Sequence, residues 1–92
     1  MNLFCSSGAW DDYAEFQERD AAMAQKINDL IADIRRNPFR GLGKPEPLRG
    51  PLAGWWSRRI NQEHRLVYRV VGARDRDQRL EILQCRFHYD HR

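Results

Sequence analysis

Asp20-Ala21-Ala22-Met23-Ala24-Gln25-Lys26-Ile27-Asn28-Asp29-Leu30-Ile31-Ala32-Asp33-Ile34-Arg35-Arg36 is the stretch on which the fold turns. Counting from Met23, apolar residues return four, seven, eight and eleven positions later, at Ile27, Leu30, Ile31 and Ile34. At 3.6 residues per turn these positions form one stripe on one helix. Asp20 is suited to cap its start, Arg35 and Arg36 to its negative end, and Pro38 stops it. Helical face and dipole account for both arginines.

Upstream, residues 2 to 6 read as a short strand closed by Ser6 or Ser7 as a helix N-cap. A first helix follows to about Arg19, with Asp11 and Asp12 in its first turns and Trp10, Tyr13, Ala14 and Phe16 mainly at helical spacing. Downstream, Trp55 to Ile60 and His64 to Val71 read as strands joined by Asn61-Gln62-Glu63, and Leu80 to Phe87 as a third. The Gly72-to-Gln78 segment, with its Arg-Asp-Arg-Asp alternation, reads as a solvated hairpin tip. Between helix and strands, residues 37–54 hold four glycines and all four prolines, so they are expected to form one long loop. Its prolines lower the entropy lost on ordering and favour a functional loop over a disordered one.

The 92 residues suffice for one domain, 1–92, near the lower limit for a core without disulfides or metals. A hydrophobic fraction of 41% with ten aromatics argues for a globular core, and the lack of a long apolar run argues against a membrane span. The start has neither a basic n-region nor an apolar h-region, so a cytoplasmic location is expected. Cys5 and Cys85 lie in apolar, strand-like stretches and read as free thiols acting as small core residues. They make no zinc-ligand spacing with His64, His88 or His91.

The net charge of +3 is unevenly spread. Residues 1–34 carry two basic against seven acidic side chains, and residues 35–76 carry eleven against three. The first segment is therefore −5 and the second +8. Arginine outnumbers lysine fourteen to two, and its planar fork pairs bidentately with phosphate, so a polyanion is a better-motivated partner than a solvated surface.

Cleaving RNA without a metal needs a base for the 2′-OH proton, an acid for the departing 5′ oxygen, and cations for the phosphorane. Glu46, between Pro45 and Pro47, offers a carboxylate on a restricted backbone, although the same residue also fits an ordinary surface glutamate. His88 stands at a strand end, and an imidazole titrates near neutrality, which suits proton donation. Arg86 shares strand parity with His88 if the strand stays regular. Arg59 and Arg65 lie on opposite arms of the preceding hairpin, where they can converge on one phosphate. Trp55 and Trp56 read as core or partner contacts rather than base-stacking platforms, whereas Tyr89, beside His88, reads as part of the site. Lys44 reads as a solvated or phosphate-positioning cation. With Arg35, Arg36, Arg40 and Arg49 it supplies candidate contacts to RNA.

Trp10-Asp11-Asp12-Tyr13, Arg36-Asn37-Pro38-Phe39, Gly43-Lys44-Pro45-Glu46-Pro47-Leu48, Trp56-Ser57-Arg58-Arg59-Ile60, Glu63-His64-Arg65-Leu66-Val67-Tyr68 and Cys85-Arg86-Phe87-His88-Tyr89 together resemble, in order and spacing, the YoeB (Txe) toxins of the RelE superfamily. The resemblance runs from about residue 2 to residue 89. It implies a RelE-like α+β fold with an N-terminal strand and two helices packed on a mostly antiparallel sheet. It further implies a toxin that cleaves mRNA in the ribosomal A site without a cofactor until a YefM-like antitoxin masks it. Operator DNA would be reached only through the antitoxin complex, and a homodimer is compatible with this reading. Carried over by position, Glu46 is the general base and His88 the general acid. Arg59 and Arg65 stabilise the scissile phosphate, Tyr89 orients the substrate, and Glu63 plays a lesser supporting role. Lys44, Arg86, Arg36 and Arg49 remain the candidate RNA contacts.

Two departures stand out. The chain continues through Asp90-His91-Arg92 past the tyrosine at which the family commonly ends, and its Gly72-to-Gln78 loop is longer than usual. Two other functions fit the composition: a non-catalytic nucleic-acid-binding component of an autorepressing toxin–antitoxin complex, and a ribonuclease that needs no ribosome. Intact Glu46 and His88 favour the ribosome-dependent enzyme over the first of these.

Overall fold

Ser6 ends the first strand and starts the first helix. Its backbone is extended and its hydroxyl accepts the amide proton of Ala9 at 3.0 Å. Asp20 does the same for the second helix, accepting from Met23 N at 3.2 Å. The computed structural model describes residues 1–73 and 76–87. In chain order the elements are β1 (Asn2–Cys5), α1 (Ser7–Arg19), α2 (Ala21–Arg36), β2 (Glu46–Pro47), a 3-10 turn at Gly50–Leu52, β3 (Trp56–Arg59), β4 (Arg65–Val71) and β5 (Arg79–Gln84). The sheet order is β1-β5-β4-β3-β2, parallel only between β1 and β5. The expected α+β architecture is present, and no helix among the described residues is long and apolar enough to cross a membrane.

Both helices pack on one face of the sheet. The stripe of α2 is buried at Met23, Ile27, Leu30 and Ile34, with Ile31 at its margin, against Leu66 and Tyr68 of β4 and Leu80 and Ile82 of β5. Alternation along β4 and β5 sends these four residues towards the helices and their neighbours to the opposite side. Each such aliphatic side chain withdrawn from water contributes about 1.5–3 kcal/mol, so this layer holds the helices in place.

Several expectations need correction. Residues 37–54 are not one irregular loop: Glu46–Pro47 joins the sheet as its edge strand, and a 3-10 turn follows. The first turn of α1 holds no acidic residue, since Asp11 and Asp12 fall beyond it. The last strand stops at Gln84 rather than Phe87. Cys5 is exposed, because β1 is the other edge strand and all four of its residues are exposed. Cys85 is buried as expected, its Sγ 3.4 Å from Ala9 O, and burial pushes its thiol up to about 12. Such a thiol stays protonated and inert at neutral pH.

Arg58 of β3 holds the loop that follows α2. Its side chain is fully enclosed, and each of its five N–H groups meets an acceptor. Nε donates to Tyr68 Oη (3.2 Å), Nη1 to Asp33 Oδ2 (2.6 Å) and Leu42 O (3.1 Å), and Nη2 to Asn37 O (2.7 Å) and Arg40 O (2.9 Å). Tyr68 Oη in turn donates to Pro38 O at 2.6 Å. The loop can lie this close only because residue 41 is glycine. A Cβ there would sit 2.0 Å from Asp33 Oδ2, and its φ of +122° is one side chains avoid.

Candidate active site

Glu46 is positioned by the hydrogen bonds on either side of it. Arg59 N donates to Gly43 O at 2.6 Å before it, and Leu48 N donates to Trp55 O at 2.9 Å after it. Gly43 cannot be replaced without moving the sheet, since a Cβ would lie 2.8 Å from Arg59 O. Pro45 and Pro47 lack an N–H for a ladder, which confines this segment to a sheet edge. Glu46 stands directly opposite Ser57 in the register and is exposed.

Strand parity puts Trp56 and Arg58 on the helix side, and Ser57 and Arg59 on the side away from the helices. Residues directly opposite one another on antiparallel strands share a face. Glu46 therefore shares this second face with Ser57 and Arg59, and so does Arg65, which stands opposite Arg59. The two arginines expected on opposite hairpin arms are thus direct cross-strand neighbours. They are not equivalent. Arg59 is exposed, while Arg65 retains 8% of its surface and its Nη1 donates to Asn61 O (2.7 Å), His64 O (3.1 Å) and, more weakly, Gln62 O (3.4 Å). Arg65 is fixed in orientation, and Arg59 is the readily accessible cation.

The same face is charged in two different ways. Towards β1, Arg69 and Arg79 both bond Glu81, each at 2.7 Å, and together they hold its carboxyl below the usual range, Arg79 having the larger effect. Towards β2, no ion pair to Arg59 or Arg65 forms among the described residues. Two cations directly opposite one another across β3 and β4 concentrate positive potential on the face that carries Glu46, which favours a phosphate there.

Arg86 is placed differently from the sequence expectation. The strand ends at Gln84 and Phe87 has φ +62°, so regular alternation does not extend to residue 88. Arg86 turns towards α1, with Nη1 2.5 Å from Glu15 and 3.7 Å from Asp12. The Glu15 hydrogen bond is the chief reason its guanidinium is held more firmly protonated than usual. The parity argument for Arg86 as an RNA contact loses its premise. Lys44, Arg49, Arg36 and Arg40 are exposed, Arg36 with a loose 3.4 Å pair to Asp33, while Arg35 donates to Met1 O. Lys44 has φ +52°, a conformation uncommon outside glycine. Glu63 is exposed, with Oε1 3.5 Å from His64 Nε2. His88 and Tyr89 lie outside the described residues.

Sequence reasoning passed over His64 and Gln84, which hold the chain at Phe87. Phe87 N donates to His64 Nδ1 at 2.7 Å, Arg65 N donates to Phe87 O at 3.1 Å, and Gln84 Nε2 donates to Arg86 O at 3.0 Å. A signal for His64 existed: it has the parity of Leu66 and Tyr68, so it belongs to the core side. It is indeed buried, against the Phe16 ring.

A profile of the YoeB-like toxins of bacterial type II toxin–antitoxin systems matches residues 5–89. The Escherichia coli K12 protein named Toxin YoeB is 54% identical over 89 residues, covering 97% of this chain and all of its own. A solved YoeB/ParE toxin from Agrobacterium tumefaciens superposes with a TM-score of 0.91 at 60% identity, covering 97% of this chain and 100% of that one. YoeB from Staphylococcus aureus has been solved as a dimer (TM-score 0.86, 46% identity) and in a YoeB–YefM complex (0.85, 44%), each covering 97% of this chain and 98% of that one. With nearly its whole length matched at these identities, the chain belongs to the YoeB-like toxins of bacterial type II toxin–antitoxin systems.

Proposed function

We propose that this toxin is a metal-independent endoribonuclease that cuts mRNA in the ribosomal A site and so stops translation. The observation that carries the reading is the grouping of Glu46, Arg59 and Arg65 on the sheet face away from the helices, with Phe87, the residue before His88, tied to His64 and Arg65. Glu46 takes the 2′-OH proton, and the 2′ oxygen attacks the neighbouring phosphorus. His88 gives a proton to the departing 5′ oxygen, leaving a 2′,3′-cyclic phosphate that water can open to a 3′-phosphate. Arg59 and Arg65 stabilise the charge that builds on the phosphorane, and Tyr89 orients the substrate.

A carboxylate is a weaker base than an imidazole, so much of the rate must come from orienting the RNA. The ribosome supplies that orientation by holding the A-site codon extended. Lys44, Arg49, Arg36 and Arg40 are exposed and suited to contact ribosomal RNA. In the resting complex a YefM-like antitoxin covers the site, as the partnership in the Staphylococcus aureus YoeB–YefM complex suggests, and operator DNA is reached through that antitoxin. The test is cleavage by purified toxin of one defined mRNA, free and on translating ribosomes. Fast cutting only on ribosomes, weakening as salt rises, is expected. Equal rates on free and ribosome-bound mRNA would replace this reading with a self-sufficient ribonuclease.

A further inference from the structure

His64 is a buried polar group that the proposed chemistry leaves unused. Its ring lies between those of Phe16 and Phe87, at centroid distances of 5.5 and 5.6 Å. Its own backbone is braced by Asn61, whose Oδ1 accepts from His64 N at 2.7 Å and from Glu63 N at 2.9 Å. Because Nδ1 accepts the Phe87 amide proton, the proton of the neutral ring belongs on Nε2, facing Glu63 Oε1 at 3.5 Å.

Phe87 needs such a partner. The strand ladder has ended at Gln84, and a φ of +62° is costly for a bulky side chain unless its surroundings hold it. The restraints are the His64 Nδ1 bond to its N–H, and the donation of Arg65 N (3.1 Å) and Gln84 Nε2 (3.4 Å) to its carbonyl. Two consecutive residues of one segment, His64 and Arg65, thus grip both sides of the peptide chain at the position preceding residue 88.

We propose that His64 is a positioning residue for RNA cleavage: through Nδ1 it locks the left-handed turn at Phe87 and so ties the departure of the chain towards His88 to the strand that carries Arg65. The proposal rests on the reading of His88 as the general acid. It gives the chain that leads into the acid and the strand of the phosphate-binding cation a common anchor at Phe87. Loss of the anchor should act on the chemical step, since misplacing a catalytic group by 1 Å can cost about 10²-fold in rate.

The first test is made on the ¹⁵N-labelled wild-type toxin: a through-hydrogen-bond nitrogen–nitrogen coupling between the Phe87 amide and His64 Nδ1 is expected, and its absence in the folded protein overturns the proposal. This readout holds even if a variant fails to fold. The second test compares His64→Asn, whose side-chain oxygen can stand near Nδ1, with His64→Gln, whose polar atoms reach only towards Nε2. In single-turnover cleavage of mRNA on translating ribosomes, His64→Gln should be about 10²-fold slower at saturation, with the half-saturating concentration changed less than about twofold. His64→Asn should recover to within about fivefold of wild type. Wild-type speed in a folded His64→Gln protein, or no recovery in a folded His64→Asn protein, overturns the proposal. A folded His88→Ala variant that cuts at the wild-type rate would instead overturn the assignment of the acid, and the wild-type coupling keeps that failure distinct from a wrong account of the turn.

Discussion

Arg58 and Arg59 are consecutive residues of β3, yet one is wholly enclosed between sheet and helices and the other lies exposed on the opposite face. Arg58 spends all five donors on Asp33, Tyr68 and three loop carbonyls. Arg59 faces Arg65 across the strand pair, and no ion pair neutralises it among the described residues. The period of two in a strand has divided two chemically identical side chains between the interior and the face of the proposed site. A buried guanidinium is tolerable only when every donor is met, and an exposed one is useful to a phosphate only when it is not already neutralised.

The largest effect should come from Arg58. Replacing it with leucine strands Asp33 and three carbonyls, and should cost about 3–5 kcal/mol of stability in urea denaturation. Lysine should not restore it, having three donors and no planar fork. Wild-type stability in Arg58→Leu would abolish the contrast. Arg59→Leu should do the reverse, changing stability by less than about 0.5 kcal/mol while slowing cleavage on ribosomes about 10²-fold. A folded Arg59→Leu toxin with full activity would remove Arg59 from the site.

The smallest effect concerns pH. The Leu42 N–H, then Arg58, holds the Asp33 carboxyl below its ordinary value of 3.8. A lowered folded value means stability that is fully present above pH 3.8 and is lost as pH falls through the folded value. Asp33→Asn should therefore flatten the acid side of the stability profile, seen by chemical denaturation at stepped pH. The slope that remains should belong partly to Glu81, whose carboxyl is also lowered, by Arg79 and Arg69, on the other face. An unchanged profile in Asp33→Asn would uncouple the loop anchor from titration.

Local pattern made much of this legible in the sequence. The stripe from Met23 to Ile34, the caps at Ser6 and Asp20, and the β3–β4 hairpin all follow from spacings within a few residues. Glu46–Pro47 was hidden because a two-residue strand beside prolines has no period to read, and it exists only through its pairing with Ser57 and Trp56. The end of β5 is hard to read because Leu83, Cys85 and Phe87 repeat an apolar spacing of two, although on the parity opposite to Leu80 and Ile82, and the strand stops at Gln84, before the turn at Phe87 that His64 holds by a hydrogen bond. Arg58 could not be told from Arg59 by composition, since its partners Asp33 and Asn37 lie more than twenty residues away. Glu46, Arg59 and Arg65 could be singled out as residues, but their common face depends on register across three strands.

The most direct test of the account is single-turnover cleavage of ribosome-bound mRNA by Glu46→Gln and His88→Ala beside wild type, with each variant's unfolding midpoint measured in parallel. Removing a general base or acid should slow cutting by about 10²- to 10⁴-fold, and the Glu46→Gln midpoint should stay close to that of wild type, since Glu46 is exposed on an edge strand. Folded variants that still cut the mRNA at the wild-type rate would contradict the assignment of base and acid, and with it the reading of this sheet face as the site of cleavage.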